Sequence, residues 1–320
     1  MFDRADDEVL LEPAAYPEFG VLDAAVARRD WAGCRAALDA ASPSGRTVLL
    51  QAAAESPDLE EWLRRLLQAD PWDSTAAALL GMHLTKVGWR IRSSATAEHV
   101  SADQFRQFRE WLRRAEAVLI DAAARAPHDP AVWAARLTTA RGLQVDLAEI
   151  RRRHDRMVAA DPHHLPGQRQ YLQSLCPKWY GSWPQAHAFA HEAMTAAPPG
   201  APQGSLVAEA HIEQWLDLGG EYKRAATAHL VGARDSLHDA ANRSIWHPAF
   251  RRDPGWVSAA SAFAMVFAQA GDQQSAARVF AMLGPLASRW PWSYYDEHDE
   301  LVVIRRYRRR SASALTGGGR

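Results

Sequence analysis

Apolar side chains return along most of the chain at steps of three and four, the period of one helical face. The clearest case is Gly181–Pro198, GSWPQAHAFAHEAMTAAP, where Ala186, Ala190 and Ala193 share a face. Small residues there let a preceding helix lie close and antiparallel. Ser182 with Gln185 reads as a capping box, and Pro184 is tolerated in the first turn. Trp183 plugs the end of the pair and Pro198 stops the helix. One such hairpin cannot hide its apolar face alone, so it implies stacked neighbours.

The rest of the chain can be laid out around that stretch. Residues 1–17 read as an acidic irregular arm, Glu18–Arg28 as a helix, and Asp30 as the cap of a second helix carrying Trp31, Cys34, Leu38 and Ala41. Gly45–Ala54 and Pro57–Ala69 form the next pair, the latter opened by Ser56-Pro57 and the acidic Asp58, Glu60 and Glu61. Asp73–Val87 starts a third pair, interrupted by a polar insertion at 88–101; Ser101 with Gln104 then opens a helix over 102–126. Pro130, Pro162 and Pro198 lie 32 and 36 residues apart, near a repeat of about 34. They punctuate pairs at 130–159 and 161–198; further pairs follow at 203–235 and 256–288, separated by a second long connection at 236–255. The aromatic and basic tail reads as a capping helix, and 311–320 as disordered.

The stretches around Trp31, Trp183, Tyr222 and Gly271, the last with Ala276 and Phe280, repeat one phrase. In this the chain resembles the tetratricopeptide repeat superfamily, although its first helices, such as AVWAARLTTAR, depart from the family pattern. The run WHPAF…DPGW…AGD also resembles actinobacterial members, which adds no function. The resemblance implies an all-α, right-handed solenoid of stacked antiparallel hairpins over 18–310, binding a protein or peptide in a concave groove. The repeat register places Arg136, Thr139, Gln168, Tyr171, Lys178, Trp179, Gln214 and Met265 along that groove.

Composition narrows the picture. The formal charge is −1 and 48% of residues are hydrophobic. No apolar run approaches the roughly 20 residues of a membrane span, and the balance does not call for nucleic acid. Arginines 305, 306, 308, 309 and 310 around Tyr307 read as a solvated helix end. Cys34 and Cys176 suit buried thiols in a reducing cytoplasm. The 13 tryptophans are read mainly as plugs of hairpin ends rather than as binding hot spots.

Candidate chemistry is sparse. His187 and His191 stand one turn apart, the spacing of a zinc pair, but Glu192 lies outside the pair and no third ligand is apparent, so surface histidines are expected. Asp129 and Asp161 read as N-caps, leaving His128, His163 and His164 as turn residues. The cluster Asp296–Glu300 lacks the glycine of a calcium loop and reads as an acidic helix start. No catalytic residue, metal or cofactor is therefore expected. A non-catalytic binding scaffold is the leading reading; a peptide-sensing regulator, a metal-dependent enzyme and a homo-oligomer through the terminal repeats stay open.

Overall fold

The computed structural model describes residues 8–93, 99–295 and 299–317. Among them the chain is all-α, with α1 (Pro17–Ala27), α2 (Trp31–Asp39), α3 (Pro43–Ala53), α4 (Glu60–Ala69), α5 (Ser74–Arg92), α6 (Ala102–Arg125), α7 (Pro130–Leu143), α8 (Leu147–Ala160) and α9 (Leu165–Leu175) in the first part. The second part holds α10 (Trp183–Ala196), α11 (Gly204–Asp217), α12 (Arg224–Gly232), α13 (Arg234–Arg243), α14 (Trp256–Gln269), α15 (Gln273–Leu283) and α16 (Glu300–Gly317). The only strands among the described residues are β1 (Leu10–Leu11) and β2 (Leu286–Ala287), which pair in parallel.

Local chemistry sets many of the helix starts. The carboxylates of Asp30, Asp73, Asp129, Asp146 and Asp272 and the hydroxyls of Ser42 and Ser101 each accept an N–H of the turn that follows. Ser101 and Gln104 form the full reciprocal box. Besides that of α9, two expected starts differ. Ser182 makes no side-chain cap bond; its hydroxyl donates instead to Gln185 Oε1 at 3.1 Å. The helix after Ser56-Pro57 begins only at Glu60, because Asp58 sits at φ 53° and interrupts the helical run. The carbonyl of Asp58 then accepts from Arg29 Nη2 at 2.9 Å.

The chain divides into two compact units, residues 17–181 and residues 182–320 with 1–16. The division falls at the start of the organising stretch, so α9 and α10 belong to different units. In the first unit α9 packs on α7, α8 and α3, and the long α5 lies along α6. In the second, α10 packs on α11, and α11 on α12, α13 and α14. Ala186 and Ala190 are fully buried and Ala193 nearly so, as their spacing requires. In α12 the buried small residue is Ala226. Helix α14 is apolar all round, and every residue from Trp256 to Ala268 is buried.

Several expected loops have structure. Helix α5 runs on to Arg92, so the first insertion shrinks, and residues 94–98 lie outside the described residues. Much of the second connection is α13, whose Leu237, Ala240 and Ala241 are buried. Helix α16 continues to Gly317 through the tail expected to be disordered; Ser311 is buried and donates to Gln273 Oε1 at 2.9 Å. The described end of the acidic arm is ordered too. Tyr16 is buried, its hydroxyl donates to Glu12 Oε1 at 2.7 Å, and it accepts from the Gly255 N–H at 2.8 Å. Burial and the Glu12 carboxylate push the Tyr16 phenol upward. Glu12 also accepts from Ser258 N–H at 3.3 Å, placing a carboxylate at the positive end of α14.

Candidate functional site

The predicted groove residues fall in different settings. Arg136 and Thr139, on α7, are buried. Arg136 Nη2 donates to Glu116 Oε1 at 2.9 Å, and the Thr139 hydroxyl donates to the same carboxylate. Arg153 from α8 joins them, 3.0 Å from Glu116, and its Nη1 also donates to the Arg136 carbonyl at 2.8 Å. Gln168 is buried and donates to the Pro162 carbonyl at 3.1 Å; Tyr171 is buried and stacks on His154 at 4.0 Å; Met265 is buried in α14. These five are interior side chains rather than groove lining.

Lys178, Trp179 and Gln214 remain accessible. Lys178 and Trp179 follow α9 and stand beside an aromatic and cationic surface. Trp179 meets Trp89 of α5 edge-on, centroids 6.5 Å apart, and Trp89 meets Phe108 of α6 at 4.8 Å. The Arg141 guanidinium of α7 lies 5.5 Å from the Trp179 ring and 6.0 Å from Trp89, while Arg92 lies 5.5 Å from Trp89. Trp89 and Trp179 are half-buried and Lys178 is exposed. The guanidiniums of Arg92 and Arg141 thus lie against indole rings within cation–π range, with two of the Arg141 nitrogens buried.

In the second unit Gln214 leads to a different cluster. It accepts from His187 Nε2 at 2.6 Å. His187 of α10 faces His211 of α11, with ring centroids 4.5 Å apart, and His211 faces His229 of α12 at 5.0 Å. His211 Nδ1 lies 3.0 Å from His229 Nε2. One ligand nitrogen from each of the three rings lies within 4.8 Å of the others. Burial, then His187 and His229, pull His211 down to about 3; burial and His187 lower His229 as well. His211 and His229 are thereby favoured in the neutral form, which keeps a nitrogen lone pair.

Comparison with protein-family models, curated proteins and solved structures finds no match. The reading of this chain therefore rests on its own residues.

Of the paired histidines expected from the sequence, only His187 joins the triad; His191 is exposed. His211 and His229 carried no local signal, since neither lies within a ligand-spaced motif. His164 is more than a turn residue: its Nδ1 accepts the Gly167 N–H at 3.3 Å, capping α9 in place of Asp161. Its Nε2–H is then left to donate to Thr47 Oγ1 at 2.9 Å, and that hydroxyl donates to the Pro43 carbonyl at 3.2 Å. This is a satisfied core histidine, lowered to about 4 chiefly by burial.

The remaining candidates have structural roles. Asp296, Glu297 and His298 lie outside the described residues; Glu300 is buried and pairs with Arg289, and Asp299 accepts from the Val302 N–H. The arginine run is only partly solvated. Tyr307 is buried and donates to Glu221 at 2.7 Å, and Arg308 donates to the Leu286 carbonyl at 2.7 Å. Burial lowers Arg308 to about 10. Trp133, Trp215, Trp256 and Trp292 are buried, as plugs should be, whereas Trp72 is 70% exposed.

Proposed function

We propose that this chain is a non-catalytic binding module, built from helix hairpins of tetratricopeptide type, that recognises an acidic segment of a protein or peptide partner. The observation that carries the reading is the Trp89–Trp179 edge pair with Arg141 close to both rings and Lys178 exposed beside it. Tryptophan and arginine are the side chains most enriched where binding energy concentrates. Their cationic setting favours carboxylates, which also speeds encounter. No helix among the described residues is long and apolar enough to cross a membrane. Two free, buried thiols suit a reducing compartment, so a cytoplasmic location belongs to the proposal.

Fluorescence anisotropy with a panel of acidic, neutral and basic peptides tests it on the full chain. Acidic peptides should bind best and weaken as salt rises. Trp179→Ala should cost about 2 kcal/mol of that binding, roughly 30-fold. Equal affinity for all peptides, or none for any, contradicts the reading.

A further inference from the structure

Three imidazoles brought together from three successive helices of one compact unit have a chemical use that a binding module does not need. We propose that His187, His211 and His229 form a site for one divalent transition-metal ion of the zinc, cobalt and copper class.

The donor set comes first. Imidazole nitrogen suits zinc and its neighbours, whereas calcium and magnesium prefer oxygen. Among the described residues these three form the one group of histidine, cysteine, aspartate or glutamate with metal-compatible spacing.

Spacing is the second argument. Nitrogens about 2.0–2.1 Å from a tetrahedral zinc ion stand about 3.4 Å from one another. The closest pair here is His211 Nδ1 and His229 Nε2 at 3.0 Å, and all three ligand atoms lie within 4.8 Å. In the proposed site the rings turn to close the set to ligand distance.

The surroundings add a third. Gln214, less than one turn beyond His211 on α11, accepts from His187 Nε2 at 2.6 Å. That bond fixes the orientation of the His187 ring, the role an outer hydrogen-bond partner plays in metal sites. Trp183 flanks His187, ring centroids 6.3 Å apart, and is itself tied by its indole N–H to Asp217 at 3.1 Å. His211 is buried, while His187 and His229 are partly open to solvent. An ion can enter from that side, and a tetrahedral ion keeps a fourth position for water.

Without metal the arrangement is poorly compensated. His211 and His229 share one hydrogen bond between two nitrogens. Metal binding replaces that contact: the donor ring shifts its proton to its other nitrogen, and both facing nitrogens then coordinate the ion.

The test uses untagged full-length protein stripped with a chelator and titrated with Co(II) and then Zn(II). The expected result is one Co(II) per chain with visible d–d absorption, displaced by one Zn(II). His229→Gln and His187→Gln should weaken the ion by more than about 100-fold, and Gln214→Leu by about 10–100-fold. His191→Gln, one turn along α10 and exposed, should leave affinity unchanged. Far-UV circular dichroism confirms that each variant folds. The partly exposed His229 is the primary variant, because replacing buried His211 can also disturb folding. Saturation only at millimolar ion, or binding unchanged in folded His229→Gln and His187→Gln, overturns the site. So does binding lost in His191→Gln. Peptide affinity is measured in parallel; its failure bears on the binding module and leaves the metal result standing.

Discussion

His211 Nδ1 and His229 Nε2 face each other across 3.0 Å, closer than two protonated rings would settle. The contact belongs to a wider feature of the molecule, several histidines folded in their neutral form. Burial holds His154 and His164 at about 4 and is the largest influence lowering His211 to about 3, against an ordinary 6.5.

The sign of the pH dependence follows. Between the folded and unfolded values the unfolded chain binds protons that the folded chain does not, so stability is full above about pH 6.5 and falls as pH drops toward 4. Each group contributes up to about 3 kcal/mol of that loss. Urea midpoints measured from pH 7 to pH 4.5 should decline steadily. His154→Phe, which keeps a ring against Tyr171, should flatten the decline.

Glu116 holds two buried guanidiniums, so removing it leaves both without their shared anion. Glu116→Ala should destabilise by about 3–5 kcal/mol. Replacing Glu116, Arg136 and Arg153 together by apolar residues of similar volume should cost less than the single change, because no charge is left stranded. Equilibrium urea unfolding of the two variants checks the order.

Glycines give a matched pair in the second unit. A Cβ at Gly204 would lie 2.3 Å from the Ala240 carbonyl oxygen, which is backbone and cannot step aside. Gly204→Ala should therefore lower stability by about 1–3 kcal/mol. Gly232, at the end of α12, has open space, and Gly232→Ala should be neutral or stabilising by up to about 1 kcal/mol. Thermal melts distinguish the two directions.

Both thiols should be silent in the folded protein. Cys34 is fully buried and raised to about 11 by burial and then by Asp30. Cys176 is buried, with its Sγ 3.5 Å from the Leu172 carbonyl. A thiol reagent at pH 8 should label neither at a rate comparable to free cysteine and both after unfolding in urea. Rapid labelling of native protein would contradict this burial.

Much of the helix layout was legible because its signals act over a single turn. Asp30, Asp73, Asp129 and the Ser101–Gln104 box reach only three residues ahead. The starts that misled had the same lettering but different surroundings. Ser182 turned to Gln185, and Asp161 yielded α9 to His164, whose ring is held by Thr47 from a distant helix. Groove residues were harder to read. Arg136 and Gln168 look solvated in the sequence, yet each is buried with a partner of its own. The tail beyond Ser311 and the arm before Tyr16 looked irregular because their partners, Gln273 and Gly255, lie far along the chain.

The helical period, the caps and the small-residue face of Ala186, Ala190 and Ala193 were enough to establish an all-α chain, since each depends on neighbours within a turn or two. Which helices became partners was settled by packing alone, and it set α10 on α11. That choice, with α12 against α11, carried His187 away from the pairing its spacing suggested and brought it to His211 and His229. Side chains 24 and 18 residues apart share no local geometry, so only the meeting of three helix faces could bring their nitrogens together.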